Sequence, residues 1–217
     1  MVQLLWQTSS PLTTTEMKRI IIPLLLVLTV SCEMLTDCPK LVKGKPEGHL
    51  VDDRELKTIK TLFGASNLSY ENYQFYRLES VISGEFYVSC HQFVNDLKVW
   101  TGDLIFHFDK NGKFESLSGD IVSAIDAGTS PSMDLSLVES RYLDRIKEDS
   151  FYRNSTSVAN GCLTCELVYC ELAKSEGGPA PDYVLAWLVK PEKSDYPVAV
   201  IIDSDQSVAY FNNGIVF

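Results

Sequence analysis

The constraint that narrows the fold most is a series of period-two segments set so close together that only hairpin turns can join them. Residues 73–82, 85–94, 97–109 and 113–117 read as strands, and Ser83-Gly84, Asn95-Asp96 and Asn111-Gly112 between them are turn signals. Parallel neighbours need crossover connections of a dozen residues or more, so joints this short predict an antiparallel meander. Its second strand places Phe86, Val88, Cys90 and Gln92 on one face, and its third places Leu104, Phe106 and Phe108 on one face. A short helix precedes the run: Asp52 or Asp53 can cap it, Leu56, Ile59 and Leu62/Phe63 share its apolar side, and Gly64 can end it.

The same order then repeats. Ser136-Leu137-Val138-Glu139 is a capping-box pattern, and Val138, Tyr142, Leu143 and Ile146 form an apolar stripe suited to lying on a sheet. Strand-like runs follow at 166–173, 183–190, 196–203 and 207–212, the last two joined by Asp203-Ser204-Asp205-Gln206. Helix followed by strands, twice, predicts an α+β fold of two small units, 49–122 and 123–217, each a helix packed on an antiparallel β-sheet. Trp100 and Trp187 fit core or sheet-packing positions, and His91 and His107, both in strand runs, read as hydrogen-bonded structural residues.

Export is written at the other end. The apolar stretch 20–30, broken only by Pro23 and Thr29, is too short to cross a bilayer and follows Lys18-Arg19, as a signal-peptide core follows its charged region. Met17 sits directly before those cations, which makes it the expected true start and leaves residues 1–16 without a role. Leu28-Thr29-Val30-Ser31-Cys32 resembles the lipobox of bacterial lipoproteins, with Leu one position further from Cys32 than usual. That resemblance makes 1–31 the signal peptide, Cys32 the lipid attachment site and 32–48, with its lysines, prolines and glycines, a lipid-anchored tether. The other reading is a plain secretory peptide followed by an ordinary cysteine. With the lipid anchor, the chain is expected in the bacterial cell envelope, periplasmic or surface-facing, attached to a membrane such as the outer membrane. A net charge of −10 opposes a phosphate backbone and argues against nucleic acid as a partner.

An exported chain permits disulfides. Cys162-x2-Cys165 with Cys170 nearby has metal-like spacing, but a closed zinc site needs four ligands, and neither a second C-x-x-C nor a neighbouring His follows. A local disulfide among Cys162, Cys165 and Cys170, with an odd thiol left over, is the expectation. No G-x-S-x-G elbow, phosphate-cradling loop or G-x-G-x-x-G is present, so neither catalytic nor cofactor-binding nor metal-ligating residues are expected. Asp109-Lys110-Asn111-Gly112 lacks the further oxygen ligands of a calcium loop and reads as a hairpin turn.

Residues 87–113 carry a resemblance. A strand ending in His91-Gln92, a tight turn at Asn95-Asp96, a strand with Val99, then Leu104-Ile105-Phe106-His107-Phe108 closed by Asp109-Lys110-Asn111-Gly112 resembles the fungalysin/thermolysin propeptide motif. Tyr183-Val184-Leu185-Ala186-Trp187-Leu188-Val189 and Val198-Ala199-Val200-Ile201-Ile202-Asp203 are similar to strands of the PepSY domain, which follows that motif in the same proteins. Asp96-Leu97-Lys98-Val99 replaces the family's Gly-Val-Pro-Val turn, and Ser207 stands where Gly is usual. In those proteases a metallopeptidase domain with H-E-x-x-H comes next, whereas His49, His91 and His107 are followed by Leu50, Gln92 and Phe108. The resemblance implies a non-enzymatic envelope lipoprotein that inhibits or chaperones an exported metallopeptidase in trans. The alternative is a general module binding a peptide or another envelope protein by its sheet face or edge.

Overall fold

The first helix starts where capping chemistry begins it. In the computed structural model, which describes residues 38–42, 44–153, 161–172 and 182–215, helix α1 (Asp53–Ala65) is capped by Asp52. Its carboxylate accepts from the Glu55 amide at 2.8 Å, and the Glu55 carboxylate accepts in return from the Asp52 amide at 3.2 Å. The helix runs through Gly64 because the left-handed residue that ends it is Asn67 (φ 52°), after which the Leu68 amide donates to the Phe63 carbonyl at 2.9 Å. Helix α2 (Leu135–Glu148) is capped by Asp134, not Ser136: the Asp134 carboxylate accepts from the Leu137 amide, while Ser136 sits in the first turn and donates to Asp134. A carboxylate also complements the positive end of the helix dipole, which a hydroxyl does not.

Among the described residues there are ten strands: β1 (Lys40–Val42), β2 (Tyr73–Ser80), β3 (Phe86–Val94), β4 (Leu97–Trp100), β5 (Leu104–Phe108), β6 (Phe114–Ser118), β7 (Leu163–Glu171), β8 (Tyr183–Pro191), β9 (Val198–Ile202) and β10 (Val208–Asn212). They form one sheet in the order β10-β9-β8-β7-β4-β3-β5-β6, with β1 added on β7 and β2 on β3. The architecture is mixed α/β, mainly antiparallel, with two helices among the described residues.

Three expectations change here. The single strand expected at 97–109 is two strands, because Thr101 turns left-handed (φ 68°) and the Gly102 amide donates to the Val99 carbonyl at 3.0 Å. A Cβ on Gly102 would lie 2.7 Å from Val99 Cγ1, so only glycine fits this tight reversal. The break frees β4 to pair in parallel with β7, Val99 opposite Tyr169, so the sheet is not purely antiparallel. Finally, residues 40–42 of the expected tether form β1, which pairs in parallel with β7 along the same edge that β4 uses further on.

Each helix covers its own core. Ile59, Leu62 and Phe63 of α1 pack with Phe75, Val88, Cys90, Leu104, Phe106 and Phe108. Val138, Tyr142 and Ile146 of α2 pack with Leu163, Leu167, Tyr169, Trp187, Val189 and Ile201. The sheet is continuous between them through the β3–β4 hairpin, where Val94 faces Leu97, and through β4 against β7. On the face away from α2, Val168, Cys170, Ala186 and Val200 form a third buried cluster, with Trp100, Val184 and Leu188 packed against it. Trp100 of β4 and Tyr210 of β10 meet there at 4.9 Å although β7, β8 and β9 separate them in the sheet. Strand twist has coiled this section over its own face.

The expected local disulfide is corrected. Cys165 and Cys170 are free and buried, and Cys162 is disulfide-bonded, as is Cys38. Strand β7 begins at Leu163, earlier than the sequence suggested, so Cys165 and Cys170 lie five residues apart on one strand and point to opposite faces. Cys165 enters the α2 core and Cys170 the coiled face. Burial pushes the Cys90 and Cys165 thiols up to about 12, with the charges of Asp103 and Glu139 adding to it, which leaves both inert as nucleophiles. Cys32, the expected lipid attachment site, lies outside the described residues.

Candidate functional site

Alternation on β3 divides its side chains cleanly. Val88 and Cys90 enter the α1 core, so Tyr87, Ser89 and His91 face the other way, toward a side of the β2-β3-β5-β6 section that neither helix covers. The β3–β5 register sets Tyr87 opposite His107 and Ser89 opposite Ile105. The outward face thus carries both strand histidines.

Two β-bulges enrich this face. On β2, Phe75 pairs with Cys90 and Arg77 with Ser89, which leaves Tyr76 as an extra residue; on β6, Phe114 pairs with Phe108 and Ser116 with His107, which leaves Glu115. Both extra residues end at a histidine. Tyr76 stacks on His91 with ring centroids 4.5 Å apart, and Glu115 Oε2 lies 3.4 Å from His107 Nδ1. His91 Nδ1 is 2.6 Å from Asp103 Oδ1, and the Tyr76 hydroxyl donates to Asp103 Oδ2 at 3.4 Å. His107 lies parallel to Tyr87 at 4.6 Å, and its Nε2 is 3.7 Å from Glu85 Oε2. The two groups have one composition: an imidazole sandwiched by a phenol ring and held by carboxylates.

Burial alone would raise the Asp103 pKa, but the hydrogen bond and charge of His91, the charge of Lys98 and the Tyr76 hydroxyl outweigh it and hold Asp103 below the usual carboxylate value. Burial first, and the Asp103 charge second, raise the Tyr76 phenol, so it stays a donor. The imidazoles are about one-fifth exposed and their carboxylate partners about two-fifths to one-half. The expectation of hydrogen-bonded histidines holds for His91, with the difference that the bonds lie on an open face and not in a core.

The remaining polar residues singled out by sequence hold structure. His49 stacks on Phe75 and accepts from its amide through Nδ1 at 3.2 Å; burial, then the charges of Lys45 and Lys60, lower its pKa and favour the neutral acceptor form. Asp109 Oδ1 accepts from the Asn111 and Lys113 amides at 2.8 Å, a side-chain-closed hairpin turn as the residues predicted. Asp203 is buried beside Trp187 and accepts from that indole and from the amides of Ser132 and Met133. Among the described residues no group of three or more His, Cys, Asp or Glu could hold a metal ion.

Sequence reading missed the outward face because it treated these strands as strictly alternating. The signal was present: Phe75 and Leu78, and Phe114 and Leu117, are apolar residues three apart inside period-two runs, and all four pack on the α1 core. Spacing of three within a strand requires an extra residue on the opposite face, which is what a bulge supplies.

The Fungalysin/Thermolysin Propeptide Motif family matches residues 76–121. No curated protein matches the chain. Among solved structures, the Bacillus megaterium YpeB C-terminal domain is similar with a TM-score of 0.38 and 6% identity, over 79% of this chain and 68% of that one.

Proposed function

We propose that this chain is a non-catalytic, lipid-anchored protein of the bacterial cell envelope whose propeptide-like section docks on an exported metallopeptidase and restrains or chaperones it in trans. The observation that carries this reading is where the family match falls. Residues 76–121 begin at the first bulge and contain both histidine groups of the outward face, from Tyr76 and Glu85 through Tyr87, His91, Asp103 and His107 to Glu115. A motif shared with propeptides, which act by binding the enzyme they precede, then coincides with a surface that carries stacked aromatic rings and carboxylates.

Docking of this kind requires an interface of about 1,200–2,000 Å² of total buried surface, more than single side chains supply and within the reach of a four-strand face. The test is to titrate the chain against an exported thermolysin-like peptidase of the same organism, following both peptide cleavage and recovery of the enzyme from denaturant. The expected result is a saturable fall in cleavage rate or a gain in refolding yield, with no hydrolysis by the chain alone. Unchanged rates and unchanged refolding at micromolar excess would sink the reading for that enzyme and favour a general envelope-binding module.

The anchor is tested separately. Changing Cys32→Ala is expected to move the protein from the membrane fraction to the soluble fraction and to abolish palmitate labelling. Labelling that survives the change would show that Cys32 is not the acylated residue.

A further inference from the structure

We infer that the outward face of β2-β3-β5-β6 docks a basic protein surface, one presenting Lys or Arg beside apolar side chains. The inference rests on the proposed trans-docking function and adds which face is used and what chemistry the partner must offer. Carboxylates Glu79, Glu85, Asp103 and Glu115 stand on this face or at its rim, against Arg77, which is paired with Glu79. Among the described residues, the only basic side chains within ion-pair distance of Glu85, Asp103 and Glu115 are the two imidazoles, and none of the three carboxylates is paired with Lys or Arg. Lys98 acts on Asp103 from β4 without forming an ion pair.

The lysines of this section collect on its other side. Lys57 of α1 and Lys110 of the β5–β6 turn flank a cleft floored by Leu62, Ala65 and Phe86, and Lys60 lies on the same helix. That side also carries Asp53 and Glu55 of α1 and is mixed in charge, whereas the open face sets four carboxylates against Arg77, so a cationic partner is complementary to the open face. Tyr76, Tyr87 and Ile105 supply the apolar contact. The tyrosines are already immobilised against His91 and His107, so docking orders little that is not ordered beforehand. Ile105 is 39% exposed between them, opposite Ser89.

The test uses the full chain in detergent and two probes: the exported peptidase, and a twelve-residue peptide alternating Lys with Val and Tyr. Zero-length carbodiimide cross-linking to the peptide is mapped by mass spectrometry, and inhibition of the peptidase is compared for the wild type and the pair Glu85→Lys and Glu115→Lys. Glu115 is exposed and Glu85 half-buried at the rim, so the paired variant should fold, which circular dichroism checks; the milder pair Glu85→Gln and Glu115→Gln stands in if it does not. The expected result is cross-links concentrated at Glu85, Asp103 and Glu115, and about a tenfold loss of peptide affinity and of inhibitory potency on charge reversal, shrinking as salt is raised. Cross-links spread equally over Asp144 and Glu148 of α2, or a charge reversal without effect on peptide binding, would overturn the inference. Inhibition that persists in the charge-reversed protein would leave the trans-acting function standing and remove only this face from it. Absence of inhibition with cross-links still at the three carboxylates would do the reverse.

Discussion

Replacing Asp203→Ala is expected to destabilise the protein by about 3–5 kcal/mol, the cost typical of stripping the partner from a buried, charge-assisted network. The Asp203 Oδ1 atom accepts from the Met133 amide and the Trp187 indole, both at 3.0 Å, and Oδ2 accepts from the Ser132 amide at 2.6 Å and the Ser132 hydroxyl at 2.7 Å. Alanine leaves two amides and an indole N–H at the mouth of the α2 core without an acceptor. Asn in place of Asp203 keeps the shape but turns an NH2 group toward donors, so it should recover only part of the loss. Urea denaturation at pH 7 measures both.

The same site predicts a pH dependence. Burial alone would raise the Asp203 pKa, but hydrogen bonds from Met133, Ser132 and Trp187 outweigh it and hold it below the ordinary value. A group whose folded pKa is depressed contributes its full stability above the unfolded value of about 3.9 and loses it as pH falls through the folded value. Stability of the wild type should therefore drop below about pH 4 more than that of the Asp203→Asn protein. Parallel curves for the two proteins between pH 7 and pH 2 would show that Asp203 is not the titrating contributor.

Truncating Phe63→Ala is expected to cost about 3–5 kcal/mol as well, the range for removing a fully buried aromatic side chain. Phe63 is completely buried, and its ring lies 4.8 Å from Phe106, 5.1 Å from Phe75 and 5.6 Å from Phe108, so one substitution opens a cavity at the centre of the α1 core. The fluorescence of Trp187, which sits in the α2 core, gives the informative readout once Trp6 and Trp100 are changed to Phe. Because β3 continues through β4 onto β7, the two cores share one sheet, and the Trp187 transition should move with the mutation. A Trp187 midpoint left in place while far-UV circular dichroism shows an early transition would mean that the 49–122 and 123–217 sections unfold as separate units.

Local chemistry made much of this fold legible before any coordinates. Asp52, one of the two caps the residues offered, starts α1, and Glu55 three positions on closes the box. Ile59, Leu62 and Phe63, and Val138, Tyr142 and Ile146, are buried because helical periodicity places them on one side. Val88 with Cys90, and Leu104 with Phe106 and Phe108, share a face because strand side chains alternate. The outward face was half legible: alternation puts Tyr87, His91 and His107 on one side, but placing Tyr76 and Glu115 there requires reading the bulges.

Neighbours within about one helical turn or one hairpin decide the caps, the apolar stripes, the turn at Asp109 and the extents of most strands, so these were readable from the residues alone. Which strand edges meet was settled only by contacts between distant parts of the chain. The pairing of β4 with β7 joins residues about seventy positions apart, and the Asp203 carboxylate finds Ser132 across 71 positions. Strand edges offer the same N–H and C=O groups whatever their side chains, so pairing choice leaves no local mark. It is settled when both sheet sections bury their cores at once, and that same choice puts α1 and α2 on faces other than the one carrying Tyr76, His91 and His107.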